Sequence, residues 1–372
     1  MVFSRAAFDS EMNVKQQRIY QFLDEQKLDA VAFSTQSNFA WATCGGGNYV
    51  STATDTGSAA AVFTRSGKRY AVCDVIEAPR IFEEELEGKG FEIISYPWNE
   101  PFPAAKIREI GGEKVGFDLG LDGMANIDSL FAQHRYSLTA EEVARYKTAG
   151  QIAAACVDET CREIKPGMTE FEIAALVDSK LIAKGMIPNV TLIAADERIE
   201  KFRHPVPTGK RLERYAMVVV GARKWGLIVS LTRLVHFGKI PDELRMKHKA
   251  VTAVDAVYLA NTVPGVAAGD IFDKGLSMYA ETGFRDEWKK HHQGGPTGYR
   301  GREYRASSGV KDTVRENQAW AWNPSITGTK SEDTIIAGSD GFETVSEIQG
   351  WPYIEAEING RIIRRPDILE IR

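Results

Sequence analysis

Residues 155–185 read ACVDETCREIKPGMTEFEIAALVDSKLIAKG, and residues 253–283 read AVDAVYLANTVPGVAAGDIFDKGLSMYAETG. Each stretch has the pattern of a helix, a Pro-Gly turn, a second helix and a closing glycine of the kind that ends helices. The two stretches have identical residues at a constant spacing along the chain, so that Pro166 of the first corresponds to Pro264 of the second. The shared residues of the first stretch are Ala155, Pro166, Gly167, Ile173 and Gly185. The repeat predicts a domain with two helix pairs related by a pseudo-twofold axis.

Short apolar runs between and after these helix pairs predict strands. A sheet backed on one face by two helix pairs leaves its other face free, and such a face is a natural place for a functional site. The predicted strands of this part of the chain are 217–220, 227–231, 320–322 and 334–337.

The first third of the chain alternates element types, which predicts an α/β domain. Helical patterns cover 13–26 and 78–86, and strand candidates are 30–34, 59–64, 70–74, 91–96 and 115–117. Thr139 followed by Glu142 is a capping-box signature that predicts the start of a helix and of a new domain. At 372 residues the chain is also longer than one hydrophobic core usually grows. The predicted domains are 1–137 and 138–372, and the predicted class is α/β (α+β).

The composition excludes several classes of partner. The formal net charge is -5 and the basic residues are scattered, so we expect no binding to nucleic acid or to an anionic membrane. No apolar run approaches the roughly 18 residues of a membrane-spanning helix. Asp9 and Glu11 stand where a signal peptide needs its apolar stretch, which predicts a cytoplasmic protein. The four cysteines lack a CxxC spacing and are predicted to be structural.

Several segments within residues 139–345 resemble the creatinase, prolidase and methionine aminopeptidase family. His204-Pro205-Val206-Pro207 resembles the family's His-x-x-Pro segment. The resemblance implies the pita-bread fold for 138–372, a creatinase-type N-terminal domain for 1–137, and a homodimer. The other matching segments are 164–167 with 169–170, 219–222, 225–226, 230–233, 323–324 and 330–334, and Asn38 resembles a residue of the family's N-terminal domain.

Peptidases of this family hold two divalent metal ions with two Asp, one His and two Glu, because such cations need several anionic oxygens and an imidazole. Only one of the corresponding positions in this chain keeps a carboxylate, and one carboxylate cannot hold a metal pair. The resemblance therefore predicts a protein with no bound metal and no cofactor, although His291 and His292 stand close to the histidine position. The five positions are Val219, Ser230, Gly295, Asn323 and Glu332.

The polar residues that remain in these segments are candidates for catalysis or substrate binding. His204 corresponds to the proton-transfer histidine of creatinase, a metal-free family member, and imidazole is suited to that task at neutral pH. A role in orienting substrate or ordering a loop is the alternative. Without metal, Glu332 is a base, a ligand for a cationic substrate group, or the ion-pair partner of Lys330 or Arg233.

The segment His291-His292-Gln293-Gly294-Gly295 is expected to face the sheet. Adjacent residues of a strand point to opposite faces, so we expect at most one of the two histidines to enter the site. Gln293 is the alternative inward residue. Arg302, in Gly301-Arg302-Glu303, has a guanidinium suited to a substrate carboxylate, and a surface ion pair is the competing interpretation. The predicted catalytic residues are His204, Glu332 and His292, and the predicted substrate-binding residues are Arg302, Asn323, His291, Gln293, Glu303, Lys330 and Arg233.

Three functional hypotheses follow. The first is a metal-independent hydrolase that acts on a C–N bond of a small amino-acid-like, amidine or dipeptide substrate, with His204 as proton shuttle. The second is an aminopeptidase or dipeptidase of Xaa-Pro type, which requires metal. The third is a non-catalytic pseudo-peptidase that binds a peptide or small ligand.

Overall fold

The computed structural model describes residues 4–121 and 123–372. Two compact units divide the chain: the residues up to Glu142 with Trp225–Leu227, and Val143–Lys224 with Ile228–Arg372. Both units mix helices and sheets, as the sequence predicted for an α/β protein. Within the two described ranges, every helix is too short or too polar to cross a membrane.

The first part of the chain forms one mixed six-stranded sheet. Its strands are β1 (Ala30–Thr35), β2 (Thr56–Thr64), β3 (Arg69–Asp74), β4 (Glu92–Tyr96), β5 (Val115–Phe117) and β6 (Ala125–Asn126). Its helices are α1 (Arg5–Gln26), α2 (Gln36–Ala42), α3 (Ala78–Arg80), α4 (Ala104–Gly111) and α5 (Asp128–Phe131), with a π-helical turn at Ile81–Leu86 and a 3₁₀ turn at Ala132–Arg135. The strand order is β4-β3-β2-β1-β5-β6. The helix predicted from residue 13 begins earlier, after Ser4, whose side chain accepts a hydrogen bond from the Ala7 N–H.

The predicted capping box at Thr139 is present. The Thr139 N–H donates to Oε2 of Glu142 at 2.8 Å, and the Glu142 N–H donates to Oγ1 of Thr139 at 3.2 Å. The reciprocal bonds satisfy backbone donors that the first helical turn leaves open. The long helix of the second part therefore starts where the sequence predicted.

The rest of the chain contains two four-stranded sheets and two helix pairs. Its helices are α6 (Ala140–Glu163), α7 (Glu170–Ala183), α8 (Glu197–Lys201), α9 (Asp242–Asn261) and α10 (Ala268–Glu281), with a 3₁₀ turn at Glu287–Lys290. Its strands are β7 (Ile187–Ala195), β8 (Tyr215–Lys224), β9 (Leu227–Phe237), β10 (Gly294–Pro296), β11 (Gln318–Trp322), β12 (Ser325–Ile326), β13 (Thr329–Lys330), β14 (Asp333–Gly338), β15 (Gly341–Thr344), β16 (Tyr353–Ile358), β17 (Arg361–Pro366) and β18 (Leu369–Ile371). The sheet orders are β18-β9-β8-β7 and β10-β11-β14-β15, and β12-β13 and β16-β17 are separate hairpins.

The two helix pairs have the matching turns that the sequence repeat predicted. Gly167 follows α6 with a φ of +94°, and Gly265 follows α9 with a φ of +90°. Glycine adopts this left-handed backbone region without the steric cost that a Cβ adds. The second copy therefore reproduces the turn of the first as well as its helices.

Buried ion pairs join α9, β9, β14 and β17 in the core. Arg365 donates from Nε to Oδ2 of Asp255 at 2.7 Å and from Nη2 to Oδ2 of Asp333 at 3.0 Å. Arg233 donates from Nη2 to Oδ1 of Asp333 at 2.9 Å, and only 1% of Arg233 is exposed. The sequence predicted that Arg233 binds substrate, and this was wrong, because its guanidinium is buried in the core and paired with Asp333.

Candidate functional site

Three connecting segments bring the candidate site together within the second unit. The loop after α8 carries His204, and the loop between the 3₁₀ turn Glu287–Lys290 and β10 carries His291 and His292. Lys330 ends β13, and Glu332 lies in the turn from β13 to β14. Segments far apart in sequence therefore supply the polar groups of one site, which lies among loops that the sheets hold in place.

The three histidine rings form a cluster. Nε2 of His204 lies 3.1 Å from Nε2 of His291, and the His291 and His292 rings stack with centroids 4.4 Å apart. The His204 and His292 centroids are 5.8 Å apart. The expectation that only one of the two consecutive histidines enters the site was wrong. They precede β10 in an irregular loop, so the alternation of a strand does not apply to them.

Burial lowers the pKa of all three histidines. Burial and the nearby Lys330 ammonium lower the pKa of His291 to about 2. Burial and Arg302 lower the pKa of His292 to about 4. The His204 side chain is exposed, and its pKa is lowered from the ordinary value by partial burial and then by Lys330. In a contact between two neutral imidazoles, one nitrogen donates its hydrogen and the other accepts it.

Glu332 is the centre of a second, charged cluster. Its Oε2 lies 2.7 Å from Nζ of Lys330 and accepts a hydrogen bond from Oγ1 of Thr232 at 2.8 Å, while its Oε1 lies 3.1 Å from Nη2 of Arg302. Burial alone would raise the pKa of Glu332, but Lys330 and Arg302 outweigh it and hold the pKa at about 2. Two cations face one carboxylate, so this cluster carries a net positive charge.

The remaining predicted residues, Asn323, Gln293 and Glu303, have different surroundings. Asn323 follows β11 and is buried, and its Oδ1 has no hydrogen-bond partner among the described residues. Gln293 accepts a hydrogen bond on Oε1 from the Tyr279 hydroxyl at 2.8 Å and donates from Nε2 to the carbonyl of His291 at 2.6 Å. Gln293 therefore supports the histidine loop from within the fold, and its predicted contact with substrate was wrong. The backbone N–H of Glu303 donates to the carbonyl of Pro296 at 2.8 Å.

Glu287 joins the two histidine segments of the site to the turn between β12 and β13, and the sequence offered no sign of this. Its Oε2 accepts hydrogen bonds from Nη2 of Arg203, next to His204, and from both N–H and Oγ1 of Thr327, in the turn between β12 and β13, each at 2.8 Å. Glu287 itself lies four residues before His291. We call Glu287 with Arg203 and Thr327 the Glu287 clamp, and it positions the catalytic candidates without touching them.

Glu170, at the start of α7, anchors both ends of the loop that carries His204. Its Oε1 accepts from the N–H of Ala195 at 2.9 Å and from Nε of Arg198 at 2.8 Å. Its Oε2 accepts from the N–H of Thr208 at 2.8 Å, and Glu170 is fully buried. A charged acceptor that is satisfied on both oxygens in this way holds the loop ends firmly.

The residues at the five family positions do not fit a two-metal centre. Val219 lies on β8 in an apolar cluster with Met217 and Leu234. The Ser230 N–H and C=O are both bonded to Oγ1 of Thr334. The one remaining carboxylate, Glu332, is already neutralised by two cations that repel a metal ion. The donor set and its charge therefore argue against this centre.

Gly295, at the position of the family's histidine ligand, allows a test of whether the structure has room for a side chain there. A Cβ at Gly295 would overlap the carbonyl oxygen of Tyr304, so the structure leaves no room there for a histidine. We expect Gly295→Ala to lower the free energy of unfolding by about 1–3 kcal/mol, the usual cost of overpacking. Urea unfolding measures this. The matched control is Gly301→Ala, where a Cβ meets no atom of the described chain within 4 Å. Equal stability of the two variants would contradict the prediction.

Known proteins resemble this chain along most of its length. The Xaa-Pro dipeptidase of Pyrococcus horikoshii is 24% identical over 359 residues, which cover 91% of this chain and 98% of that protein. The crystal structure of the prolidase from Pyrococcus horikoshii matches with a TM-score of 0.74 at 19% identity, covering 90% of this chain and 98% of that one. Recombinant prolidase from Thermococcus sibiricus matches with a TM-score of 0.76 at 15% identity over the full length of both chains. These structural matches confirm the pita-bread fold.

A family model confirms the resemblance found in the sequence motifs. The model of metallopeptidase family M24 matches residues 144–349, which is more than half of the chain. The matched range includes the histidine cluster, the charged cluster around Glu332 and all five family positions. The chain therefore belongs to metallopeptidase family M24.

Proposed function

We propose that the chain is a hydrolase that breaks a C–N bond in a small amino-acid-like, amidine or dipeptide substrate, with His204 as proton shuttle and without a two-metal centre. Membership of a peptidase family supports hydrolysis. The name of the Pyrococcus horikoshii relative makes Xaa-Pro dipeptides the first substrates to test. The observation that carries the proposal is the 3.1 Å contact between Nε2 of His204 and Nε2 of His291.

The histidine contact suits proton transfer at the other nitrogen of His204. We assign the hydrogen of the contact to Nε2 of His204, because the neutral His291 then accepts it and fixes the orientation of the ring. Nδ1 of His204 is then a base. A water molecule attacks the carbonyl or amidine carbon while its proton moves to this Nδ1. The C–N bond breaks, and His204 returns the proton to the departing nitrogen.

The charged cluster suits a substrate that carries a carboxylate. Arg302 and Lys330 share one internal carboxylate, Glu332, which leaves positive charge for the substrate. Arg302 can add a bidentate contact of the kind that guanidinium groups make with carboxylates. The unpartnered, buried Oδ1 of Asn323 is an acceptor for an amine or amide N–H of the substrate. These contacts would orient the scissile bond towards His204.

A chelator experiment tests the proposal. The protein is treated with EDTA, dialysed, and assayed against a panel of Xaa-Pro dipeptides, other dipeptides and small amidines. We expect turnover of at least one member of the panel, at a rate that added EDTA does not lower. Turnover that disappears with EDTA and returns with Mn²⁺ or Co²⁺ would overturn the proposal.

The second candidate is a metal-dependent dipeptidase of Xaa-Pro type, which the name of the Pyrococcus horikoshii relative favours. It needs several anionic oxygen ligands for its metal ions. Only Glu332 supplies them at the family positions, and Lys330 and Arg302 hold that carboxylate. The same EDTA experiment separates the two candidates.

A further inference from the structure

Three imidazole rings in one cluster are a set of metal ligands in their own right. We infer that His204, His291 and His292 form a mononuclear site for a borderline transition metal ion such as Zn²⁺, Cu²⁺ or Ni²⁺. This site differs from the family's two-metal centre in both the residues and the ligand type, because it uses three nitrogens and no carboxylate. None of its ligands stands at one of the five family positions.

The distances within the cluster suit one ion. One ring nitrogen from each histidine lies within 4.8 Å of the other two. Zinc binds imidazole nitrogen at 2.0–2.1 Å, so three ligands of a tetrahedral ion are about 3.3 Å apart. The two Nε2 atoms of His204 and His291 already have nearly this spacing, at 3.1 Å. The longest separation in the cluster is up to 4.8 Å, so the rings have to move closer together when the ion binds.

A buried nitrogen of His292 provides independent support for a ligand at the cluster. Nδ1 of His292 is buried and has no hydrogen-bond partner among the described residues. Buried polar atoms in native proteins nearly always have a partner, and an unmet one calls for an explanation such as an ion. The histidine cluster therefore has coordinating capacity that the protein itself does not use.

The surroundings of the cluster determine which ions it selects. Lys330 acts electrostatically on all three rings, Arg305 acts on His204 and His292, and Arg302 acts on His292. These cations weaken the binding of every metal ion. Only ions with high intrinsic affinity for imidazole overcome this repulsion, and affinity rises from Mn²⁺ to Cu²⁺ along the first transition series. Mg²⁺, Ca²⁺ and Mn²⁺ prefer oxygen ligands, which the cluster lacks. The same cations attract an anion to the open fourth position of the bound ion.

Occupation of the site has a consequence for catalysis, and this consequence alone rests on the proposed function. A metal ion bound through Nε2 of His204 would use the lone pair of that nitrogen, so the hydrogen of the neutral ring would stand on Nδ1, which could then accept no proton. The shuttle would then stop. Zn²⁺ is therefore expected to inhibit the enzyme, whereas it would activate a metallopeptidase.

Direct binding tests the metal site without any need for turnover. Protein without a polyhistidine tag is stripped with a chelator and titrated with Co²⁺, followed by visible absorption, and with Zn²⁺, followed by calorimetry. We expect one ion per chain, visible Co²⁺ bands without the intense near-ultraviolet absorption of thiolate ligands, and no binding of Mn²⁺. Loss of an outer-shell partner costs about 10–100-fold in metal affinity, so His204→Ala and His292→Ala should each cost at least about 100-fold.

His236→Gln is the matched control, because His236 lies in the same unit outside the cluster and bonds the carbonyl of Gly238. It should leave Zn²⁺ affinity unchanged. His204→Ala changes an exposed side chain, so loss of binding in this variant is not a folding defect. Failure of the wild-type protein to bind Zn²⁺, or equal affinity of His204→Ala and His236→Gln, would overturn the inference. Zn²⁺ binding by a protein that hydrolyses nothing would overturn the proposed function and leave this site in place.

Discussion

His204→Ala is expected to lower kcat by about 10²–10⁴, the usual contribution of a general acid–base residue. The side chain is exposed, so the thermal midpoint should stay close to that of the wild type. If His204 moves the proton and does little to bind substrate, KM should change much less than kcat. Steady-state kinetics on the substrate found in the chelator assay measures both parameters.

Val206→Ala is the control for this prediction. Val206 lies on the same loop and is exposed, and only its backbone carbonyl is bonded, to Nη2 of Arg198. The variant should keep the wild-type rate. A His204→Ala enzyme with unchanged kcat would remove His204 from the mechanism. A rise in KM alone would assign the residue to substrate orientation, which is the other role open to it from the sequence.

Lys330→Met is expected to have the largest effect on stability. Lys330 and Glu332 are both almost fully buried and 2.7 Å apart. Removing one partner of a buried ion pair leaves the other charge without compensation and costs about 3–5 kcal/mol. Arg302 still contacts Glu332, so we expect a loss near about 3 kcal/mol, at the lower end of this range. Urea unfolding measures the difference.

Two further variants show whether the buried charge is the cause. Glu332→Gln in the Lys330→Met background removes that charge, and we expect it to recover part of the lost stability. Lys289→Met breaks an exposed pair with Asp286 in the same unit and should leave the unfolding midpoint unchanged. A Lys330→Met protein as stable as Lys289→Met would show that the pair is not structurally important.

Local signals in the sequence predicted most of the fold. The Thr139–Glu142 capping box marks the start of α6 because both of its hydrogen bonds are made within one turn. The turns at Gly167 and Gly265 follow from the positive φ that favours glycine. Apolar runs such as 115–117 correspond to strands because a strand needs only a few residues of one pattern. Features of this kind depend on neighbours along the chain.

The errors at the site arose where contacts join distant parts of the chain. His291 and His292 were assigned strand alternation, but β10 begins only at Gly294. Arg233 follows the family motif, but its guanidinium donates to Asp333 and to the carbonyl of Ser346, which are 100 and 113 residues away along the chain. The Glu287 clamp links residues 84 and 40 positions apart, and no local pattern of a single sequence marks such a contact.

The absence of a side-chain ligand at Val219 and Gly295 could be predicted from the residues alone, because a valine or a glycine cannot coordinate a metal ion through its side chain. The grouping of three histidines could not be predicted, since His204 and His291 are 87 positions apart and meet only in the folded chain. The sequence therefore predicted which positions lack metal ligands, and the geometry showed which groups stand together.

The position of Arg365 affects how far the functional domain extends. The family model ends at residue 349, and Arg365 lies beyond it on β17. Its guanidinium is the shared counter-ion of Asp255 and Asp333, which come from α9 and β14 inside the matched range. A recombinant fragment cut at the family boundary would retain both acids in its interior with half of their neutralising charge gone. A recombinant fragment of the second unit therefore has to include the hairpin β16-β17.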